Sequence, residues 1–123
     1  MKMLMTGLAS LFVAVAAGVA GKAEAAPVNA TSYVFYSGQQ VIGQSILYCN
    51  GNRQHWGDAR SDNLANAVAV TFSCASGLTT HVAYPAAIDP WVQANFCSQS
   101  ELCEVGPWPV PGAGTLLPGY YSN

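Results

Sequence analysis

Apolar and polar positions alternate over short stretches in the middle of the chain, with the two-residue period of β-strands. The clearest stretch is residues 67–74, in which every second side chain is a large apolar residue or a cysteine. The other stretches are rich in aromatic and β-branched residues. The predicted strands are residues 32–36, 41–49, 54–56, 67–74 and 79–84. The pattern therefore predicts a mainly β fold, a small antiparallel meander of four to five strands.

Turn-forming residues separate the predicted strands. Gly38 suits the first central position of a type II′ hairpin turn, and Asn50-Gly51-Asn52 is a second turn signal. Gly43 interrupts the second strand, where a β-bulge is expected. Pro85 ends the last strand, and the polar residues 58–66 predict a loop or a single helical turn.

The alternation stops after residue 85. Asp89 is a good helix N-cap before Pro90, so a short helix through Phe96 is predicted. The capping-box spacing of residues 98–101 predicts a further single turn.

Prolines dominate residues 107–112, which are predicted to run extended along the surface or to hang free, like the Gly/Pro-rich tail. The expected organisation is thus a β unit over residues 26–85. An irregular, short-helical extension with a Pro-rich tail follows over residues 86–123.

The first 25 residues are typical of a signal peptide. Lys2 precedes an apolar run over residues 4–20, and Ala23-Glu24-Ala25 has the small-x-small pattern of a cleavage site. The run is shorter than the roughly 20 apolar residues that span a bilayer. We expect cleavage after Ala25, export to the periplasm or the extracellular medium, and no membrane attachment afterwards.

Cleavage would change the charge of the protein. Both lysines would be lost, leaving two arginines against five carboxylates in residues 26–123, a net charge of −3. Such a chain has no basic patch for a phosphate backbone, so nucleic acid is not an expected partner. The loss of lysine also excludes Schiff-base chemistry in the cleaved protein.

Four cysteines follow the predicted signal peptide, namely Cys49, Cys74, Cys97 and Cys103. An even number in a small exported chain predicts two disulfides, for which three pairings exist. We favour Cys49–Cys74 with Cys97–Cys103, which keeps each bridge inside one local unit, although the sequence leaves the other pairings open. The paired spacing of a zinc site is absent, so neither a metal nor another cofactor is expected.

Ionisable residues cluster at one place in the sequence. Four of them, Arg53, His55, Asp58 and Arg60, lie close together, and His81 is the only other histidine. Two histidines with an arginine are what a small secreted, nuclease-like hydrolase needs for acid–base catalysis and anion stabilisation. A solvated turn beside a packed tryptophan is the interpretation that we favour, so an enzyme is not the first hypothesis.

Aromatic residues are the better indication of function. Trp56, Trp91 and Trp108 are candidate binding residues, and Trp108 stands between prolines, where exposure is expected. Tryptophan and tyrosine with neutral polar neighbours suit contacts with protein or sugar, although most aromatic side chains in a small domain form its core. The first hypothesis is a binding or structural module that contacts an envelope or extracellular protein or glycan.

Five short motifs resemble those of one protein family. They are Tyr-x-Phe-Tyr-Ser at residues 33–37, Val-Ile-Gly at 41–43, Cys-Asn-Gly at 49–51, Trp-Gly at 56–57, and Cys74. The chain in this region resembles a bacterial family of small exported proteins of unknown function. The resemblance implies a Cys49–Cys74 bridge and a compact β unit, and it supplies no catalytic residues. The second pair of cysteines lies outside it.

Overall fold

The computed structural model describes residues 27–123, so the predicted signal peptide, residues 1–25, lies outside the described residues. The described chain forms one six-stranded antiparallel sheet, an α-helix and a 3-10 helix. The strands are β1 (Asn29–Ser37), β2 (Gln40–Leu47), β3 (Arg53–Gly57), β4 (Ala67–Ser73), β5 (Thr79–Ala83) and β6 (Leu117–Pro118). The helices are the 3-10 helix Ser61–Asn66 and α1 (Pro90–Ser100). The mainly β class is confirmed, with a disulfide in the C-terminal region.

The strands lie in the order β5–β4–β1–β2–β3–β6, so the sheet does not follow the order of the chain. After β3 the chain continues through the 3-10 helix to the far side of β1. There β4 pairs with β1 rather than with β3. The consecutive residues Val34, Phe35 and Tyr36 of β1 are all buried. A strand buried on both faces belongs in the interior of a sheet, which explains why β1 takes a strand on each side.

The hairpin between β1 and β2 has the irregularity predicted at Gly43. Phe35 pairs with Gly43 and Tyr36 with Val41, which leaves Ile42 as the extra residue of a β-bulge. A Cβ atom on Gly43 would lie 2.7 Å from the backbone of Asp58, so only glycine allows the two segments to approach this closely.

The main core lies on one face of the sheet and includes residues from the C-terminal extension. Its buried members from the strands are Ala30, Val34, Tyr36, Trp56, Val68, Val70 and Phe72. Those from the extension are Val92, Phe96, Leu102 and Val110. The Pro-rich segment, predicted to lie on the surface or hang free, therefore packs in the core through Val110, whose exposed fraction is 4%.

The helix begins as the sequence predicts and ends later. The Asp89 side chain accepts a hydrogen bond of 2.8 Å from the Trp91 backbone N–H, and Pro90 is in the first turn. Instead of ending at Phe96 before a separate turn, α1 runs on as one helix. No glycine or proline interrupts it, and the left-handed conformation of Glu101 (φ 60°) ends it.

Both favoured disulfides are present. Cys49–Cys74 joins the chain after β2 to the chain after β4, and these strands flank β1 on its two sides. Cys97–Cys103 joins the last turn of α1 to the chain that follows. No cysteine in the described part of the chain is free. Neither helix found in residues 27–123 has the length and hydrophobicity needed to cross a membrane.

Candidate functional site

An open cleft of about 460 Å³ lies where β2 turns into β3. We call it the turn cleft; its lining residues are Tyr48, Asn50, Asn52, Arg53, Gln54 and Pro118. Small-molecule sites in proteins are roughly 300–1,000 Å³, so the turn cleft has room for a small ligand. Its walls combine one aromatic ring, three side-chain amides and one guanidinium group.

Hydrogen bonds within the turn fix most of this lining. The Tyr48 N–H donates to the Asn52 carbonyl oxygen at 2.9 Å, and the Gly51 N–H donates to the Tyr48 carbonyl oxygen at 3.0 Å. The Asn50 side-chain oxygen accepts from the Asn52 N–H at 2.9 Å. The disulfide at Cys49 anchors the same turn to the chain after β4. The turn cleft is therefore largely formed before any ligand arrives.

The C-terminal segment supplies the remaining wall. Pro118 of β6 pairs with Gln54 of β3, and the Gly119 N–H donates to the Arg53 carbonyl oxygen at 3.1 Å. Residues more than sixty positions apart in the sequence therefore meet at the turn cleft.

Arg53 is held against a tyrosine from that segment. Its guanidinium carbon lies 6.0 Å from the centre of the Tyr120 ring, a cation–π distance. The Tyr120 hydroxyl in turn lies 2.9 Å from the Thr31 hydroxyl, which fixes the ring on the sheet. Burial raises the pKa of Tyr120 to about 12, so the ring stays neutral beside the arginine.

The two arginines of the described chain have different surroundings. Arg60 forms an exposed ion pair with Asp62 at 2.7 Å, which raises the pKa of the arginine and lowers that of the carboxyl group. Among residues 27–123, no carboxylate lies within 4.0 Å of the Arg53 guanidinium group. Arg53 therefore gives the turn cleft a local positive charge.

The histidines of the hydrolase hypothesis do not meet. His55 is buried on β3 with 7% exposure, and its Nδ1 lies 3.0 Å from the Gly119 carbonyl oxygen. His81 is exposed on β5, at the opposite edge of the sheet. Four strand spacings, about 19 Å in total, separate the two strands. Asp58 is exposed just after β3.

The three candidate tryptophans divide into two groups. Trp56 has 9% exposure, and its indole N–H donates to the Gln44 side-chain oxygen at 3.0 Å, so it is a core residue. Trp91 and Trp108 are exposed by 44% and 43%. Trp91 lies in the first turn of α1 and Trp108 between the prolines, where exposure was expected.

Sequence reasoning missed the polar side chain that forms the most hydrogen bonds among residues 27–123. Gln44 is fully buried on β2 and forms hydrogen bonds to both the sheet and the Pro-rich segment. A signal existed, because glutamine lies two residues before Ile46, and the two-residue period of a strand places both side chains on the same face. The turn cleft was also missed, since Asn50-Gly51-Asn52 was interpreted only as a turn.

The stability of the fold is expected to depend on pH through two tyrosines, the buried Tyr36 and the partly buried Tyr120. Burial raises the pKa of Tyr36 and of Tyr120 to about 12, against an ordinary value of 10.0. The folded state holds these protons more tightly than the unfolded chain, so their contribution is complete below pH 10 and is lost as the pH rises towards 12. We expect the free energy of unfolding, measured in urea, to fall over that interval. The Tyr36→Phe/Tyr120→Phe variant should show a smaller fall, and an equal fall would contradict the assignment.

Within residues 27–123, no three His, Cys, Asp or Glu side chains are grouped so that they could hold a metal ion. No family model matches the chain, and comparisons with curated proteins and with solved structures give no significant match.

Proposed function

We propose that the protein is a small disulfide-stabilised binding module that takes carbohydrate in the turn cleft. The observation that carries this proposal is the convergence of the Tyr48 ring and three side-chain amides on a hydrogen-bonded turn. Amides both donate and accept hydrogen bonds, as sugar hydroxyl groups require. An aromatic ring offers an apolar surface to the C–H groups of a sugar.

An exported location fits this function. Disulfides form and persist in oxidising compartments, and small exported domains depend on them for stability. Together with the predicted signal peptide, the two bridges support a location in the periplasm or the extracellular medium. The Cys49–Cys74 bridge also agrees with membership of the bacterial family that the sequence resembles, which we retain as part of the proposal.

A protein partner is the second candidate function. It is favoured by the exposure of Trp91 and Trp108, because exposed tryptophans are enriched in the centres of protein interfaces. Hydrolysis by His55 and His81 has less support, since one side chain is buried and the other lies at the far edge of the sheet.

Substitution at the turn cleft tests the carbohydrate proposal. We expect Tyr48→Ala to weaken binding of an oligosaccharide found on a glycan array about tenfold, equivalent to about 1.4 kcal/mol. Isothermal titration calorimetry measures the change, and thermal unfolding checks that the variant is folded.

Trp108→Ala is the matched control, because it removes an exposed aromatic ring outside the turn cleft. If no oligosaccharide binds, or if Trp108→Ala weakens binding and Tyr48→Ala does not, the turn cleft is not a carbohydrate site.

A further inference from the structure

We infer that the turn cleft selects sugars that carry a carboxylate, such as uronic acids, and that Arg53 binds this carboxylate. The inference rests on the proposed function and specifies its ligand. It follows from the charge, the anchoring and the neighbours of Arg53.

Charge gives the first argument. The described chain has two arginines, and Asp62 already neutralises Arg60. None of the residues that line the turn cleft is acidic. An anionic ligand would supply the partner that Arg53 lacks.

Anchoring gives the second argument. The Tyr120 ring lies against the guanidinium group, and Tyr120 is itself fixed through Thr31. The Arg53 backbone is held by the Gly119 N–H. A planar guanidinium presents its N–H groups as a fork that matches the two oxygens of a carboxylate. Holding this fork in place before binding reduces the entropy lost when the ligand binds.

The neighbours of Arg53 give the third argument. Asn50, Asn52 and Gln54 are neutral and offer amides suited to hydroxyl groups. A ligand that carries one carboxylate and several hydroxyl groups satisfies the whole lining, and a uronic acid is such a ligand. An acidic peptide offers the carboxylate without the hydroxyl groups.

The test compares two ligands that differ only at C6, where one carries a carboxylate and the other a hydroxymethyl group. A galacturonic acid tetrasaccharide and its carboxyl-reduced galactose counterpart are titrated into the disulfide-bonded protein by calorimetry. We expect the acidic tetrasaccharide to bind at least tenfold more tightly. Arg53→Gln should abolish this preference by weakening the binding of the acidic tetrasaccharide to that of the neutral one. Arg60→Gln is the matched control, because it removes an arginine outside the turn cleft, and it should keep the preference.

The outcomes separate this inference from the proposed function. Equal binding of the two tetrasaccharides overturns the inference and leaves carbohydrate binding intact. Absence of binding by both overturns the inference, while binding of another oligosaccharide in the turn cleft keeps the proposed function. Arg53-dependent binding of a glutamate-rich peptide, with no oligosaccharide bound, overturns both. The comparison on the unaltered protein decides the question even if Arg53→Gln does not fold.

Discussion

Replacing Gln44 by leucine is expected to lower the free energy of unfolding by about 4 kcal/mol. The amide nitrogen donates to the Ser32 hydroxyl at 2.7 Å and to the Trp108 carbonyl oxygen at 3.0 Å. The amide oxygen accepts from the Trp56 indole N–H and the Val110 backbone N–H, both at 3.0 Å. Leucine would leave two buried N–H groups without an acceptor, and each costs roughly 1–3 kcal/mol.

Urea unfolding followed by tryptophan fluorescence measures this loss. Gln40→Leu is the matched control, because Gln40 begins the same strand and is exposed. Hydrogen exchange at the Val110 amide should also accelerate, since Gln44 is the acceptor that holds it. A loss below 1 kcal/mol would show that water or another group replaces the glutamine.

Removing the Cys49–Cys74 bridge is expected to cost about 3.5 kcal/mol by the chain-entropy relation, since it closes a loop across 25 positions. The Cys97–Cys103 bridge spans only 6 positions, for which the same relation gives about 2 kcal/mol. The Cys49–Cys74 bridge also joins the chain segments that follow β2 and β4, which are the two neighbours of β1 in the sheet.

Paired alanine substitutions test this order of effects. Cys49→Ala/Cys74→Ala and Cys97→Ala/Cys103→Ala are compared by urea unfolding under non-reducing conditions, and each pair serves as the control for the other. A greater loss from the Cys97–Cys103 pair would contradict the loop-closure explanation.

Local features of this fold were predictable from the sequence because they depend on neighbouring residues. The alternation in β4, the turn at Gly38 and the N-cap at Asp89 each arise within a few positions. The pairing of β4 with β1 was not predictable in this way, because it depends on burying both faces of β1. The helix end was missed because Glu101 adopts a left-handed conformation that its residue type does not indicate.

The candidate site was less predictable because it depends on contacts between segments that are far apart in the sequence. Arg53 attracted attention as part of an ionisable cluster, whereas its position depends on Tyr120, a residue from the far end of the described chain. Arg53 and His55 lie two positions apart on the same face of β3, but the C-terminal segment buries His55 and leaves Arg53 exposed. Convergence of distant segments, rather than any single motif, creates the turn cleft.

The short strand β6 has a consequence for self-association. Without it, β3 would present a row of unpaired backbone groups to which a strand of another molecule could add. β6 covers Gln54 and His55, and it is only two residues long. Pro118 has no N–H with which to extend the sheet further. Leu117 and Pro118 thus protect this edge against the edge-to-edge pairing that begins aggregation.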